Sequence, residues 1–163
     1  MSRRISGLAA LFVAACTLSL GFAAFAAGAV DDLVKQAQKA MQDGKYKAAL
    51  AALEQAVSAA PDRADLYGLR AKVYDERGDL DKALADAKKV MELKPNDPTG
   101  YLIRAGIYRR NEKYDEALAD ANAAIERAPK SADAYYLRSD IYNDMGKAAE
   151  SKADEATASK LDR

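Results

Sequence analysis

From about Val30 to the end of the chain, apolar residues recur at spacings of three and four, the period of one helix face. The pattern also repeats at longer range. YKAALAALEQAVSAAP begins at Tyr46, LDKALADAKKVMELKP at Leu80 and YDEALADANAAIERAP at Tyr114, and the three starts are 34 residues apart. Breaks in the pattern fall on proline and glycine. Proline occurs only at Pro61, Pro95, Pro98 and Pro129, and Gly44, Gly78 and Gly146 mark stops between helical runs. Together these signals predict four units, 30–63, 64–97, 98–131 and 132–163, each of two helices. The predicted helices are 31–43 and 46–59, 65–77 and 80–93, 99–111 and 114–127, and 133–145 and 147–160.

Register on this period exposes fixed residue types. Alanine or serine stands at Ala37, Ala71, Ala105 and Ser139, again at Ala49, Ala83, Ala117 and Ser151, and a small or β-branched residue at Ala56, Val90, Ala124 and Ala158. A large ring or leucine stands at Leu33, Tyr67, Tyr101 and Tyr135, and three more tyrosines at Tyr74, Tyr108 and Tyr142. Small residues let helix axes approach, and rings fill the space beside them, each with a polar tip left for a partner. On these residues the chain from 30 to 163 resembles the tetratricopeptide repeat (TPR) family. The resemblance implies an all-α fold, a right-handed solenoid of helical hairpins with about four repeats. One hairpin cannot bury its apolar face alone, and stacked neighbours can. The last predicted helix, AAESKADEATASKLD, is polar nearly all round, as a terminal helix with nothing stacked on it requires.

Local departures carry their own expectations. Glu112 stands where the other units have a turn glycine, and Asn111 beside it is the residue expected to accept a left-handed conformation. Asp97-Pro98 reads as a capped helix start, and Ser131 as the cap of the fourth unit.

The first residues read differently. MSRR is followed by the apolar, small-residue run ISGLAALFVAACTLSLGFAAF, with Ala24-Phe25-Ala26 and Ala27-Gly28-Ala29 as alternative cleavage signals. This is the grammar of a secretory signal peptide over 1–29, and places the mature protein in the bacterial periplasm or outside the cell. An uncleaved membrane anchor is the competing reading of the same run. A third reading is a lipobox at Val13-Ala14-Ala15-Cys16, with lipid attached to Cys16; the apolar residues after Cys16 weigh against it. After cleavage no membrane-spanning segment is expected, and the loss of Arg3 and Arg4 from a balanced chain leaves two net negative charges. That composition gives no basic surface for nucleic acid.

Catalytic schemes lack their parts. The chain has no histidine, and its one cysteine lies in the leader, which removes histidine-assisted nucleophiles and Cys/His zinc sites. No glycine-rich phosphate loop or calcium loop is present. The reading is a non-enzyme without cofactor or metal. A carboxylate-dependent enzyme and a self-assembling structural protein are its alternatives. One charged motif follows the period: Arg70, Arg104 and Arg138 at one place, Asp86 and Asp120 at another. Structural Arg–Asp contacts within or between units are expected; an arginine ladder for an anionic ligand is the alternative.

The resemblance further implies a concave groove, lined by the first helix of each unit, that binds a protein or peptide. Carried onto this sequence, its lining includes Val34, Gln38, Gly68, Lys72, Leu102, Gly106, Arg109, Tyr136 and Asp140. The clamp by which chaperone-binding members hold a terminal carboxylate is absent, since its places hold Val34, Gln38, Leu69, Thr99 and Ile103. Tyr136 is the one tyrosine outside the signature places, and either faces the groove or packs beside Tyr135. Gly68 and Gly106 interrupt helices at groove places and are expected to open room for a ligand backbone. The expected function is a monomeric interaction scaffold of the bacterial envelope that takes an uncharged or amphipathic peptide segment.

Overall fold

The computed structural model describes residues 28–163. The basic start, the apolar run through residue 27 and Cys16 with its lipobox lie outside the described residues. Within them the chain is all helix and turn: α1 (28–42), α2 (Tyr46–Ala59), α3 (Ala64–Glu76), α4 (Leu80–Leu93), α5 (Thr99–Arg110), α6 (Tyr114–Arg127), α7 (Ala132–Asp144) and α8 (Ala148–Leu161). From α2 onward, each boundary lies within a residue of its predicted place. Helix α1 already runs at Gly28, and Val30 is buried against Ala56 and Leu66.

The small residues do what their size allows. Ala37, Ala49, Ala56, Ala71, Ala83, Ala105, Ala117, Ala124 and Ala158 are fully buried, and the larger Leu53, Leu66, Val73 and Ile141 fill the spaces between helices. In the fourth unit the pair of serines is accommodated by hydrogen bonding. Ser139 Oγ donates to the Ser151 carbonyl at 2.9 Å and lies 3.0 Å from Ser151 Oγ, so the buried hydroxyl is satisfied. Each helix packs on the next in sequence. The first helices also touch one another, α3 with α5 and α5 with α7, whereas no comparable contact joins α2 to α4, α4 to α6 or α6 to α8. The first helices therefore lie on the inner, shorter side of a curved stack.

All four intra-unit turns close in the same way. In each, one residue takes positive φ, and the following N–H donates back to the carbonyl five residues earlier: Lys45 to Ala40, Asp79 to Tyr74, Lys113 to Tyr108 and Lys147 to Tyr142, at 2.7–2.9 Å. Gly44, Gly78 and Gly146 fill three of the left-handed places. The fourth is taken by Glu112 itself, at φ 58°, and not by Asn111 as expected. Asn111 is held at φ −97°, its side-chain Nδ2 donating to the Ile107 carbonyl at 2.8 Å. The turn geometry wins because its two backbone bonds require that one residue. Glu112→Gly should therefore stabilise the protein by about 1 kcal/mol, less the extra freedom glycine has when unfolded. Chemical denaturation checks this, and a variant no more stable than the wild type would show that Glu112 is unstrained.

At the inter-unit turns, Asp97 Oδ1 accepts from the Thr99 N–H at 2.8 Å, and Pro98 holds helical dihedrals, as a capped start requires. The Thr99 side chain, and with it that backbone bond, holds the Asp97 carboxyl below the usual carboxylate range. Ser131 sits at the cap of α7 but its hydroxyl makes no capping bond; only its carbonyl engages the helix, accepting from Ala134. Two tyrosine tips are also spent inside the fold and are not left for a partner. Tyr67 and Tyr135 donate to the carbonyls of Pro61 and Pro129, each six residues back. In the third unit Arg127 replaces this link, donating to Tyr101 Oη at 2.7 Å with its guanidinium over the ring.

The periodic arginines and aspartates form one lock in each of the last three units. Arg70 pairs with Asp86, Arg104 with Asp120 and Arg138 with Asp154, each through two bonds of 2.7–2.8 Å across sixteen residues. The three carboxylates are buried. Their hydrogen bonds hold all three guanidiniums above the usual arginine range against the opposing effect of burial. Tyrosine rings flank each guanidinium at 5.5–6.0 Å. The locks join the two helices of one unit, which excludes the arginine ladder as a free anion site.

Candidate groove on the inner face

The inner face is built from one residue in every helical turn or so of α1, α3, α5 and α7. Its best-formed part is a concavity of about 430 Å³ between α1, α3 and α5. Val34, Ala64, Leu69, Val90 and Ile103 provide apolar walls; Gln38, Asp65, Lys72, Lys94 and Thr99 bring polar groups to them. Four of the residues expected in the groove, Val34, Gln38, Gly68 and Lys72, thus lie around one space. So do all five residues that replace the carboxylate clamp.

Farther along, Leu102, Gly106 and Arg109 lie on α5, and Tyr136 and Asp140 on α7. Tyr136 is 38% exposed, one of two large apolar side chains so open among the described residues, and it does not pack away beside Tyr135. The charges here are mostly paired with each other. Arg109 bridges Asp140 and Asp144 at 2.6 Å each, tying α5 to α7. Arg110 bridges Asp75 and Glu76, tying α5 to α3. Arg109 is therefore a cross-tie and not an open cation as its groove place suggested. Burial beside these helices pushes the Asp75 carboxyl up, the Arg110 charge opposing. These inter-unit pairs were not legible in the sequence, because they depend on how one unit is rotated on the next.

The two glycines differ. A Cβ at Gly106 would meet nothing within 4 Å, so open space does lie there. A Cβ at Gly68 would stand 3.0 Å from Ile103 Cδ1. The room expected at Gly68 is already filled by a side chain of the next unit. Missed entirely in the sequence was Gly100, where a Cβ would lie 2.5 Å from Met91 Cγ and 3.0 Å from the Met91 backbone nitrogen.

Two family models, both described as tetratricopeptide repeat, match residues 40–107 and 104–160. The chain is a tetratricopeptide-repeat protein. No curated protein matches its sequence. Among solved structures, TTC0263, a thermophilic TPR protein of Thermus thermophilus, is similar with a TM-score of 0.72 at 20% identity, over 81% of this chain and 74% of its own. MamA of MSR-1 gives 0.60 at 20% identity, over 82% and 76%. The TPR domain of Arabidopsis OM64 gives 0.62 at 21% identity, over 71% and 96%. At these identities the likeness speaks to the fold alone. TPR units are interaction modules, so the fold supports a protein partner in general.

The arrangement also bears on catalysis. Three carboxylate pairs on the first helices, Asp31 with Asp65, Asp75 with Glu76 and Asp140 with Asp144, are each bridged by an arginine. All three are thereby committed to holding the fold together. No cluster of three metal-ligating side chains is found among the described residues, and no described helix is long and apolar enough to cross a membrane.

Proposed function

We propose that this TPR protein is an exported interaction scaffold of the bacterial envelope, which holds a peptide segment of a partner protein along its inner face. The observation that carries the reading is the concavity between α1, α3 and α5; the open place at Gly106 and the exposed ring of Tyr136 lie on the later first helices. Exposed aromatics in a concave surface are the usual anchors of such contacts. The leader-like start of the chain supports export, and the mature chain, without cysteine, depends on packing and the three locks for its stability.

The test is a crosslinked pull-down from an envelope extract, with mature wild type beside a Leu102→Glu, Tyr136→Glu double variant checked for folding. A partner enriched by wild type and lost by the variant is expected. A partner kept by both would place the contact on the outer face or the ends of the stack. N-terminal sequencing of protein from the periplasmic fraction tests export; an unprocessed chain retained in the membrane would contradict it.

A further inference from the structure

We propose that the concavity between α1, α3 and α5 selects an acidic residue next to a bulky apolar one, within an extended segment of the partner. The inference rests on the groove reading and gives it a chemistry. The walls are apolar, which suits a Leu, Ile, Phe or Tyr side chain. Two of the polar groups at its edge, the ammonium groups of Lys72 and Lys94, can only donate. Lys72 and Lys94 are exposed, and neither takes part in an ion pair among the described residues. Lys94 feels the charge of Asp97, but Asp97 is committed to the Thr99 N–H. The Gln38 amide adds a further donor, while the Thr99 side chain is engaged with Asp97.

The one carboxylate lining the space is already used. Arg63 donates to both oxygens of Asp65, at 3.2 and 2.7 Å, and holds its carboxyl below the usual range. Arg63 is shared, since it also donates to Asp31 at 2.6 Å, so what the lining itself carries is two unpaired lysines against one carboxylate, an apolar space with one net positive charge. Elsewhere on the inner face cation and carboxylate cancel, at Arg109 and Arg110. An anionic acceptor beside an apolar group satisfies both halves of the space. A side-chain carboxylate is favoured over a chain terminus because the places of a terminal clamp are mostly apolar here. Those places hold Val34, Gln38, Leu69, Thr99 and Ile103.

A display selection tests this, using random peptides with blocked ends against the full mature protein, at low salt. Recovered peptides should carry Asp or Glu beside a bulky apolar residue at one register. Changing that acid to its amide should weaken binding about five- to tenfold, with the loss shrinking as salt rises. Lys72 is exposed and unpaired, so Lys72→Glu leaves the fold intact, and selection on it should lose the acid preference. Peptides that bind wild type but not the Leu102→Glu, Tyr136→Glu variant, yet show no acid preference, overturn this inference and leave the groove reading standing. So does an acid preference that Lys72→Glu fails to change. Recovery of no peptides, or only of peptides that bind the double variant equally, overturns both.

Discussion

Replacing Arg104 by methionine should lower the unfolding free energy by about 3 kcal/mol, the largest effect expected from any exposed or half-exposed side chain here. Methionine fills much the same volume, so little packing is lost. What changes is Asp120, a carboxylate only 5% exposed whose two guanidinium bonds disappear. Removing one partner of a buried pair is costly because the other charge stays behind. The guanidinium reaches some solvent, its side chain being 27% exposed, which sets the estimate at the lower end of the usual range. Two controls separate this from simple damage. The double variant Arg104→Met, Asp120→Leu should recover much of the loss, because it removes both charges together. The groove should still bind its peptide in any folded variant, since the lock joins α5 to α6 within one unit. Denaturant titration reads the first outcome. A single variant as stable as wild type would mean that water or a neighbouring cation takes over the carboxylate.

The second large effect is at Gly100. Gly100→Val should cost about 3 kcal/mol, because every added atom points at Met91 of α4, whose backbone nitrogen already stands 3.0 Å from the place of the Cβ. A backbone cannot turn away as a side chain can. Gly106→Ala is the natural comparison: the same residue type on the same helix, with nothing within 4 Å. There alanine should stabilise by about 0.5–1 kcal/mol through helix propensity alone. Thermal unfolding of the two variants should move in opposite directions. Equal shifts would show that α4 and α5 are free to separate at their start.

Those two glycines also mark the limit of what the chain could tell. Helix ends were legible to within a residue or so, because glycine, proline and Asp97 act locally and the period fixes which residues to compare. The Arg–Asp locks were legible as a repeated pair, although Asp154 was missed inside a helix that looked uniformly polar. Its place, 34 residues after Asp120, was the available signal. Gly68, Gly100 and Gly106 look alike in sequence. What meets each of them, Ile103, Met91 or nothing, depends on the stacking of one helix upon another. The same holds for Arg109 and Arg110, whose partners lie on helices of other units, and for the net positive charge around Lys72, which emerges only once Lys72, Lys94 and Asp65 are seen around one space.

Each lock closes across sixteen residues inside its own unit. A duplicated or deleted block of 34 residues would therefore carry a complete arginine–aspartate pair with it. Neither event would strand a locked carboxylate in the units that remain. The ion pairs severed would include Arg109 with α7 and Arg110 with Glu76, whose carboxylates are partly open to solvent and cost little to lose, and Arg110 with the more buried Asp75. Placing the expensive electrostatics within the copied block and the cheap electrostatics between blocks makes the length of such a chain easy for a genome to change.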